Sequence, residues 1–337
     1  MAYIVSDADD HPSAISDVHP DILHKHILNR LDGLTLTSLS STCSRLRSLS
    51  NVKTLWRDVC YATWPSTYHP RMQKLIDYFS DGHRGFFSDS FPVISSHRSQ
   101  RSCHPSGRKT PTSKPQEIIS AIDIRYHDQV IFSRVKETET GTGWFLYWPF
   151  RVDLLHPKES FPTPIETSHM EDIKLTLSWI IANPSRNRAA NFSSLRPVSV
   201  EQHWLTREIV VKYATILASN QLGSSEYVEC KVMVTCGGVE GGRLHVREVC
   251  MQMEDMDGKY LNGKESLEIL INSIEHGKRK KGDGREGYEE YLEMKRRRTE
   301  RKTRREKIME IAAAFGISIT CAFLIFPLFI KAMKGLL

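Results

Sequence analysis

The sequence lacks the short motifs that mark most enzymes and metal-binding proteins. It contains no GxSxG, HExxH or GxxxxGKS/T segment and no CxxC pair. Each of these spacings places reacting or ligating groups on one turn of the chain, so their absence argues against the matching chemistry. We therefore predict no catalytic residues, no cofactor and no metal site.

Cysteine is sparse, and the start of the chain has no apolar run. The seven cysteines form an odd, scattered set, which indicates reduced thiols facing the cytosol rather than a disulfide framework. The first residues, MAYIVSDADDHPSAISD, are acidic, so they resemble neither a signal peptide nor a mitochondrial presequence. We predict that residues 1–16 are disordered.

Positive charge is concentrated in one region. Residues 278–310 contain fourteen basic and eight acidic side chains, and this excess equals the formal net charge of +6 for the whole chain. The remainder of the chain is balanced, which argues against a core that binds nucleic acid. No nucleic-acid partner is predicted.

Residues 17–64 have the pattern of three short amphipathic helices. Pro20 suits the first position of a helix, and Asp32-Gly33 is a typical helix end. Thr35 is predicted to cap the second helix, and the third spans residues 52–61. On pattern alone, such a unit could equally be a helical subdomain packed on its neighbour. The apolar stripes are Leu23, Ile27 and Leu31, then Leu36, Leu39, Cys43 and Leu46, then Val52, Leu55, Trp56 and Val59.

This stretch resembles an F-box. His19 stands where the family usually has Leu, which removes one apolar contact worth about 1.5–3 kcal/mol if fully buried. The resemblance implies docking to the Skp-type adaptor of a cullin–RING ubiquitin ligase. The residues that fit the family pattern are Pro20, Asp21, Ile22, Leu23, Ile27, Leu31, Leu36, Leu39, Cys43, Leu46, Leu55, Trp56 and Arg57.

The resemblance also implies which residues bind and which partners take part. Residues 61–66 and 143–155 further resemble a plant-type F-box family. The partners implied are the Skp-type adaptor, the cullin of the SCF complex and an unidentified target protein, with no chemistry performed by this chain. The adaptor-binding residues implied are Pro20, Ile22, Leu23, Leu31, Leu36, Leu39, Cys43, Leu55 and Trp56.

The segments after the F-box differ sharply in composition. Residues 65–92 contain aromatic anchors and are predicted to be an F-box extension of helical turns and loops. Residues 93–116 are rich in Ser, Arg, His and Pro, so we predict a flexible linker. Residues 117–276 have short runs rich in Val, Ile, Tyr and Phe between turn residues, which predicts a β-rich domain that binds the target.

The β-rich domain is predicted to be an antiparallel sandwich or jelly roll. Glycine-rich segments at 140–143 and 237–242 are predicted hairpin loops, and 263–275 is a predicted helix. A phosphate-binding loop at 237–242 is the less favoured alternative, because strands flank the glycines on both sides. The candidate strands are 118–125, 130–136, 144–148, 151–155, 174–181, 208–217, 227–236 and 244–253.

The C-terminal region predicts a membrane anchor. Residues 311–330 are twenty residues without a charge, and such a helix spans about 30 Å, the thickness of a bilayer core. The basic segment 277–310 precedes it and is predicted to be juxtamembrane and cytosolic, which indicates a single-pass tail anchor in an unidentified organelle. The basic clusters at 278–281 and 296–298 favour a nuclear location as the alternative.

Together these predictions describe an α+β multidomain protein. It comprises an N-terminal three-helix F-box, a central antiparallel β-rich domain, a C-terminal basic helix and a single transmembrane helix. The predicted function is the substrate-recognition subunit of an SCF-type ligase held on a membrane. Two alternatives remain open at this point: a membrane-anchored scaffold or ligand-binding module without a ligase role, and a soluble hydrolase or carbohydrate-binding β protein.

Overall fold

The computed structural model describes residues 18–94, 115–166, 174–219, 226–238, 242–280 and 285–334. The predicted disordered segment 1–16 and most of the predicted linker lie outside these ranges. The helices are α1 (Pro20–Ile22, continued by a π turn Leu23–Ile27 and a 3-10 turn Leu28–Arg30), α2 (Gly33–Leu39), α3 (Ser44–Ser50), α4 (Lys53–Thr63, followed by a 3-10 turn Pro65–Tyr68), α5 (Pro70–Asp77), α6 (His83–Ser90), α7 (Gly143–Tyr147), α8 (Gly263–His276) and α9 (Arg285–Lys334).

The strands complete the element order. They are β1 (Val93–Ile94), β2 (Glu117–Tyr126), β3 (Gln129–Glu139), β4 (Arg151–Asp153), β5 (Phe161–Glu166), β6 (Leu175–Asn183), β7 (Arg188–Asn191), β8 (Ser199–Gln202), β9 (Ile209–Ala218), β10 (Tyr227–Gly238), β11 (Arg243–Asp255) and β12 (Arg279–Lys280).

The first F-box helix is wound differently from a regular α-helix. The Leu28 N–H donates to the carbonyl of Leu23, five residues back, which is the hydrogen bond of a π turn. This turn brings Leu23 and Leu28 into the core, each 1% exposed, and leaves Ile27 40% exposed. The predicted stripe at every fourth residue is therefore wrong for Ile27, because the inserted turn shifts the buried position by one.

The second predicted helix is two helices in the structure. Asp32, rather than Thr35, caps α2, since its carboxylate accepts from the Thr35 N–H at 2.8 Å. The Thr35 bonds lower the pKa of Asp32, as expected for a carboxylate at a helix start. Cys43 caps α3, with its Sγ accepting from the Leu46 N–H at 3.4 Å. The third predicted helix is confirmed as α4.

Phe87 on α6 is the packing centre of the helical region. Its ring centroid lies 5.4 Å from that of Trp56 and 5.4 Å from that of Trp64. The start of α2 also lies against this ring, and a Cβ built on Gly33 would be 2.1 Å from Phe87 Cζ. Burial of Phe79, Phe86 and Phe87 agrees with the predicted extension, whereas Tyr78 is 74% exposed.

Within the described ranges, the strands form two six-stranded sheets. The first sheet has the order β12-β1-β7-β6-β2-β3, and the second has the order β4-β11-β10-β9-β8 with β5 also paired to β11. The described pairings are antiparallel except that of β1 with β7. Their inner faces share one hydrophobic core with α8, so the β-rich region is a sandwich, one of the two predicted shapes.

Helices cover the outer faces of both sheets. In β2, Ile118 and Ile122 face the sandwich core, while Ile119 and Ala121 join the cluster of the F-box helices. This is the two-residue alternation of a strand buried on both faces. On the second sheet, Ala214 and other outward residues pack against α9. The order of layers is helices, sheet, sheet, helix, and the F-box region shares a core with the β-rich region.

Most predicted strands are confirmed, and one is a helix. The segment 144–148 was predicted as a strand, but all of it except its last residue belongs to α7, whose first turn is capped by Thr142 Oγ1 accepting from the Phe145 N–H at 3.2 Å. The segment 140–143 therefore leads into a helix rather than a hairpin. The pattern missed β1, β7, β8 and β12, which have two to four residues each. It also missed the six-residue strand β5, whose sequence FPTPIE contains two prolines, and proline within a run argues against a strand.

The predicted transmembrane helix over residues 311–330 is not supported. These residues belong to α9, a 50-residue helix whose first half is densely charged. In the parts of the chain that the structure describes, no helix is long and apolar enough to cross a membrane. The predicted juxtamembrane segment also differs, because the first turns of α9 pack on the second sheet through Tyr288 and Tyr291.

Candidate functional site

The structure separates the predicted adaptor-binding residues into a surface set and a core set. Four of them are buried and hold the F-box together: Leu23, Leu36, Leu55 and Trp56. Of the others, Pro20, Ile22 and Cys43 are exposed, while Leu31 and Leu39 are half-buried and also pack against the core of the helical region. The roles of these nine residues in binding stay a prediction, but only these five, the outward set, are positioned to contact a partner directly.

The exposed side of the first helix carries two large apolar side chains among polar ones. Ile22 is 51% exposed and Ile27 is 40% exposed, although burying such a side chain would stabilise a protein by about 1.5–3 kcal/mol. Exposed apolar residues grouped on one element are typical of a surface that another protein covers. Ile27 was assigned to the F-box pattern but not to the binding set, because the π turn that exposes it has no sequence signal.

Trp56 lies inside the core of the helical region. It is 2% exposed, and its indole Nε1–H donates to the Ser50 carbonyl at 2.7 Å. That bond satisfies the only polar atom of the side chain, as buried tryptophans require. Trp56 thereby joins the end of α3 to α4.

A buried carboxylate connects the F-box extension to the first sheet. Asp123 on β2 is 3% exposed and accepts hydrogen bonds from the Ser66 N–H at 2.9 Å, the Ser66 hydroxyl at 2.5 Å and the Ser133 hydroxyl at 2.7 Å. Burial raises the pKa of Asp123, and the serine hydrogen bonds and the charge of Arg125 oppose that rise only in part. Arg125 adds bonds to the carbonyls of Ala62 and Thr63.

A second ion-pair network closes the same interface. Asp89 on α6 accepts from Arg188 on β7, with the closest Nε to Oδ2 distance 2.6 Å. Arg279 on β12 reaches the carbonyls of Asp89 and Ala189 at 3.1 and 2.8 Å. A planar guanidinium held by several acceptors fixes the orientation of the elements that carry them. The F-box and the sandwich are thus joined as one unit.

Asp123 leads to a prediction about pH. Because its pKa is raised above 3.8, its contribution to stability is fully present below that value and is lost as the pH rises through the raised pKa. The variant Asp123→Asn does not titrate at this position. As the pH rises from 3.8 through the raised pKa of Asp123, the free energy of unfolding of the wild type should therefore fall relative to that of the variant. Urea unfolding at a series of pH values measures the difference. Parallel curves for the two proteins would contradict the raised pKa.

The described residues contain one group of side chains that could hold a metal, and it is better explained as an ion-pair cluster. Asp153, Glu248 and Cys250 bring ligand atoms within 4.8 Å of one another. Arg151 already donates to both carboxylates, including Nε to Asp153 Oδ1 at 2.7 Å. Burial raises the pKa of the Cys250 thiol to about 12, and a protonated thiol is a poor ligand and a poor nucleophile.

The short helices at the start of the chain, with Ile22 and Ile27 exposed on the first of them, have the arrangement expected of an F-box. The F-box domain model matches residues 19–58. The chain belongs to the F-box protein family, whose members are in general non-catalytic, substrate-recognition subunits of SCF-type ubiquitin ligases.

Three relatives from Arabidopsis thaliana resemble this chain over nearly its whole length. F-box protein At3g44326 is 43% identical over 332 residues, covering 92% of this chain and 89% of the relative. F-box protein At2g27310 is 38% identical over 333 residues, covering 91% and 94%. The probable F-box protein At2g36090 is 39% identical over 318 residues, covering 90% of each. No solved structure matches the chain.

Proposed function

We propose that this chain is the substrate-recognition subunit of an SCF-type ubiquitin ligase and docks on a Skp-type adaptor through the outward face of its F-box. The observation that carries the proposal is the exposure of Ile22 and Ile27 within a segment that matches the F-box model. Leu31 and Leu39 are half-buried and extend this outward set.

The β sandwich is proposed to hold the target, and the F-box region to hold the ligase. The chain contributes effective concentration rather than chemistry, because it brings lysines of a bound target close to the ubiquitin-transfer partners on the cullin. The Asp123 and Asp89 contacts support this division of labour. They fix the sandwich on the F-box, so a target bound to the sandwich would be presented in a defined orientation.

Ile22→Asp tests the docking surface without disturbing the core. We expect adaptor binding to weaken roughly tenfold to a hundredfold, because an isoleucine lost from a buried contact costs about 1.5–3 kcal/mol. The position is 51% exposed in the free chain, so folding should be unaffected. Titration of purified Skp-type adaptor onto immobilised full-length chain measures the change.

Tyr78→Asp is the matched control for this experiment. Tyr78 is 74% exposed and directly follows α5, outside the F-box match. It receives the same new charge at an apolar surface position. Unchanged binding by Tyr78→Asp together with weakened binding by Ile22→Asp supports the proposed surface. Full binding by a folded Ile22→Asp variant would rule out this helix as the docking site.

A further inference from the structure

A cleft between α9 and the second sheet is the feature of the sandwich with the clearest chemical preference. It measures about 700 Å³ and opens where the helix leaves the sheet. The sheet side contributes Tyr227, Met256 and Asp257, with Glu226 beside them, while the helix contributes Met294, Arg297, Arg298, Arg301, Lys302 and Arg305. The cleft thus has apolar side chains next to a cationic wall.

The first part of α9 is firmly held on the sheet. Tyr291 is fully buried, and Lys212 Nζ lies 3.2 Å from the Tyr288 hydroxyl. Lys295 Nζ reaches Glu254 Oε1 at 2.9 Å. Burial opposes ionisation of Glu254, but its bonds to Lys231 and Lys295 lower its pKa overall. These contacts set the position of the residues that follow along the helix.

The helix face that covers the sheet changes character where the sheet ends. Tyr291 and Met294 lie on this face, and residues three or four positions apart continue it as Arg298, Arg301 and Arg305. Arg301, Lys302 and Arg305 are exposed, and none of them forms an ion pair with a described residue. The helix face therefore packs on the sheet near Tyr291 and becomes cationic further along. We expect this cationic part to favour an anionic ligand.

One arginine of the cleft already binds a carboxylate of the protein, in the way that it could bind a carboxylate of a ligand. Arg298 donates to Asp257 through two nitrogens, Nε to Oδ1 at 3.1 Å and Nη2 to Oδ2 at 2.7 Å. These hydrogen bonds lower the pKa of Asp257, and the charges of Lys302 and Lys295 lower it further. A bidentate guanidinium–carboxylate pair is a geometry that arginine offers to carboxylates in general.

From this geometry we infer that the cleft binds an acidic, Asp- and Glu-rich segment of the target protein. The inference rests on the proposed function. The methionines and Tyr227 offer apolar contacts to the side chains between the acidic ones, and methionine adapts readily to varied partners. Apolar contacts of this kind suit the side chains of a peptide better than a phosphate backbone, and a bilayer is flat, whereas the site is concave.

The test uses the full-length chain and a fluorescein-labelled peptide in which Asp and Glu alternate with Leu. Fluorescence anisotropy at physiological ionic strength, about 0.15 M, limits long-range attraction to about 8 Å. The variant R301E/R305E should bind the peptide about tenfold more weakly, because two attractive contacts become repulsive. A peptide with Asn and Gln in place of Asp and Glu should not bind the wild type.

The matched control is R296E/K307E, which makes the same change in net charge on the opposite side of the helix. It should retain peptide affinity. Equal loss in both variants, no binding by the wild type, or saturable binding to anionic vesicles or RNA that the peptide does not displace would each overturn the inference. The same R301E/R305E protein is also titrated with the adaptor. Normal adaptor binding combined with a failed peptide test would overturn only the cleft inference, whereas loss of adaptor binding by the wild type would overturn the proposed ligase role.

Discussion

Trp56→Ala should destabilise the F-box region by about 3–5 kcal/mol, the cost typical of removing a buried Trp or Phe side chain. The side chain is 2% exposed, contacts Phe87 and satisfies the Ser50 carbonyl. Its removal leaves a cavity beside Phe87 and an unpaired acceptor at the end of α3. Urea unfolding followed by circular dichroism measures the loss, and adaptor binding should fall with it.

Trp204→Ala is the control for this change. Trp204 is 80% exposed, so the same substitution there should alter the free energy of unfolding by no more than about 0.5 kcal/mol. If Trp56→Ala kept wild-type stability but lost adaptor binding, Trp56 would be a contact residue, and the burial described above would not explain its role.

Comparison of Trp56→Ala with Ile22→Asp distinguishes two causes of weaker adaptor binding: loss of a surface contact and loss of stability. The surface variant should weaken binding without lowering stability, whereas the core variant should lower both. A double variant that combines a surface and a core change, such as Leu39→Asp with Trp56→Ala, would mix these effects. The structure therefore favours single substitutions at exposed positions for mapping the adaptor contact.

The amino-acid pattern predicted the class of the protein better than the roles of single residues. Spacing and residue type identified the F-box stretch, and the strand runs around 118–125, 174–181 and 227–236 are confirmed as β2, β6 and β10. These runs are rich in β-branched residues and lie between turn residues, which is the strongest local signal for a strand.

Tertiary packing explains what the pattern did not predict. Burial of β2 on both faces comes from helices far away in the chain, as the contact of Ile119 with the F-box cluster shows. Asp123 reads as a polar break within a strand, yet it is the acceptor that holds Ser66. Such roles depend on partners more than fifty residues distant in sequence, so no local spacing reports them.

The apolar run at 311–330 illustrates the limit of composition. Its length and lack of charge are those of a membrane span, but it continues a helix whose earlier turns are tied to the sandwich by Tyr291 and Lys295. The basic residues that were predicted to flank a bilayer are partly engaged with acidic partners on the second sheet, as Lys295 is with Glu254. The sequence alone does not show whether such basic residues lie beside a membrane or line a cleft on the protein.

The junction of α7 and α8 gives the last prediction, because it depends on residues 143–147 forming a helix rather than the predicted strand. A Cβ on Gly263 would lie 1.9 Å from the Phe145 carbonyl oxygen, a backbone atom that does not move aside easily. Gly263→Val should therefore lower the free energy of unfolding by about 3 kcal/mol, near the upper end for overpacking. Gly141→Val is the control, since a Cβ there meets nothing within 4 Å and the change should be about 0.5 kcal/mol or less. Equal stability of both variants in urea would mean that α7 does not pack on the start of α8.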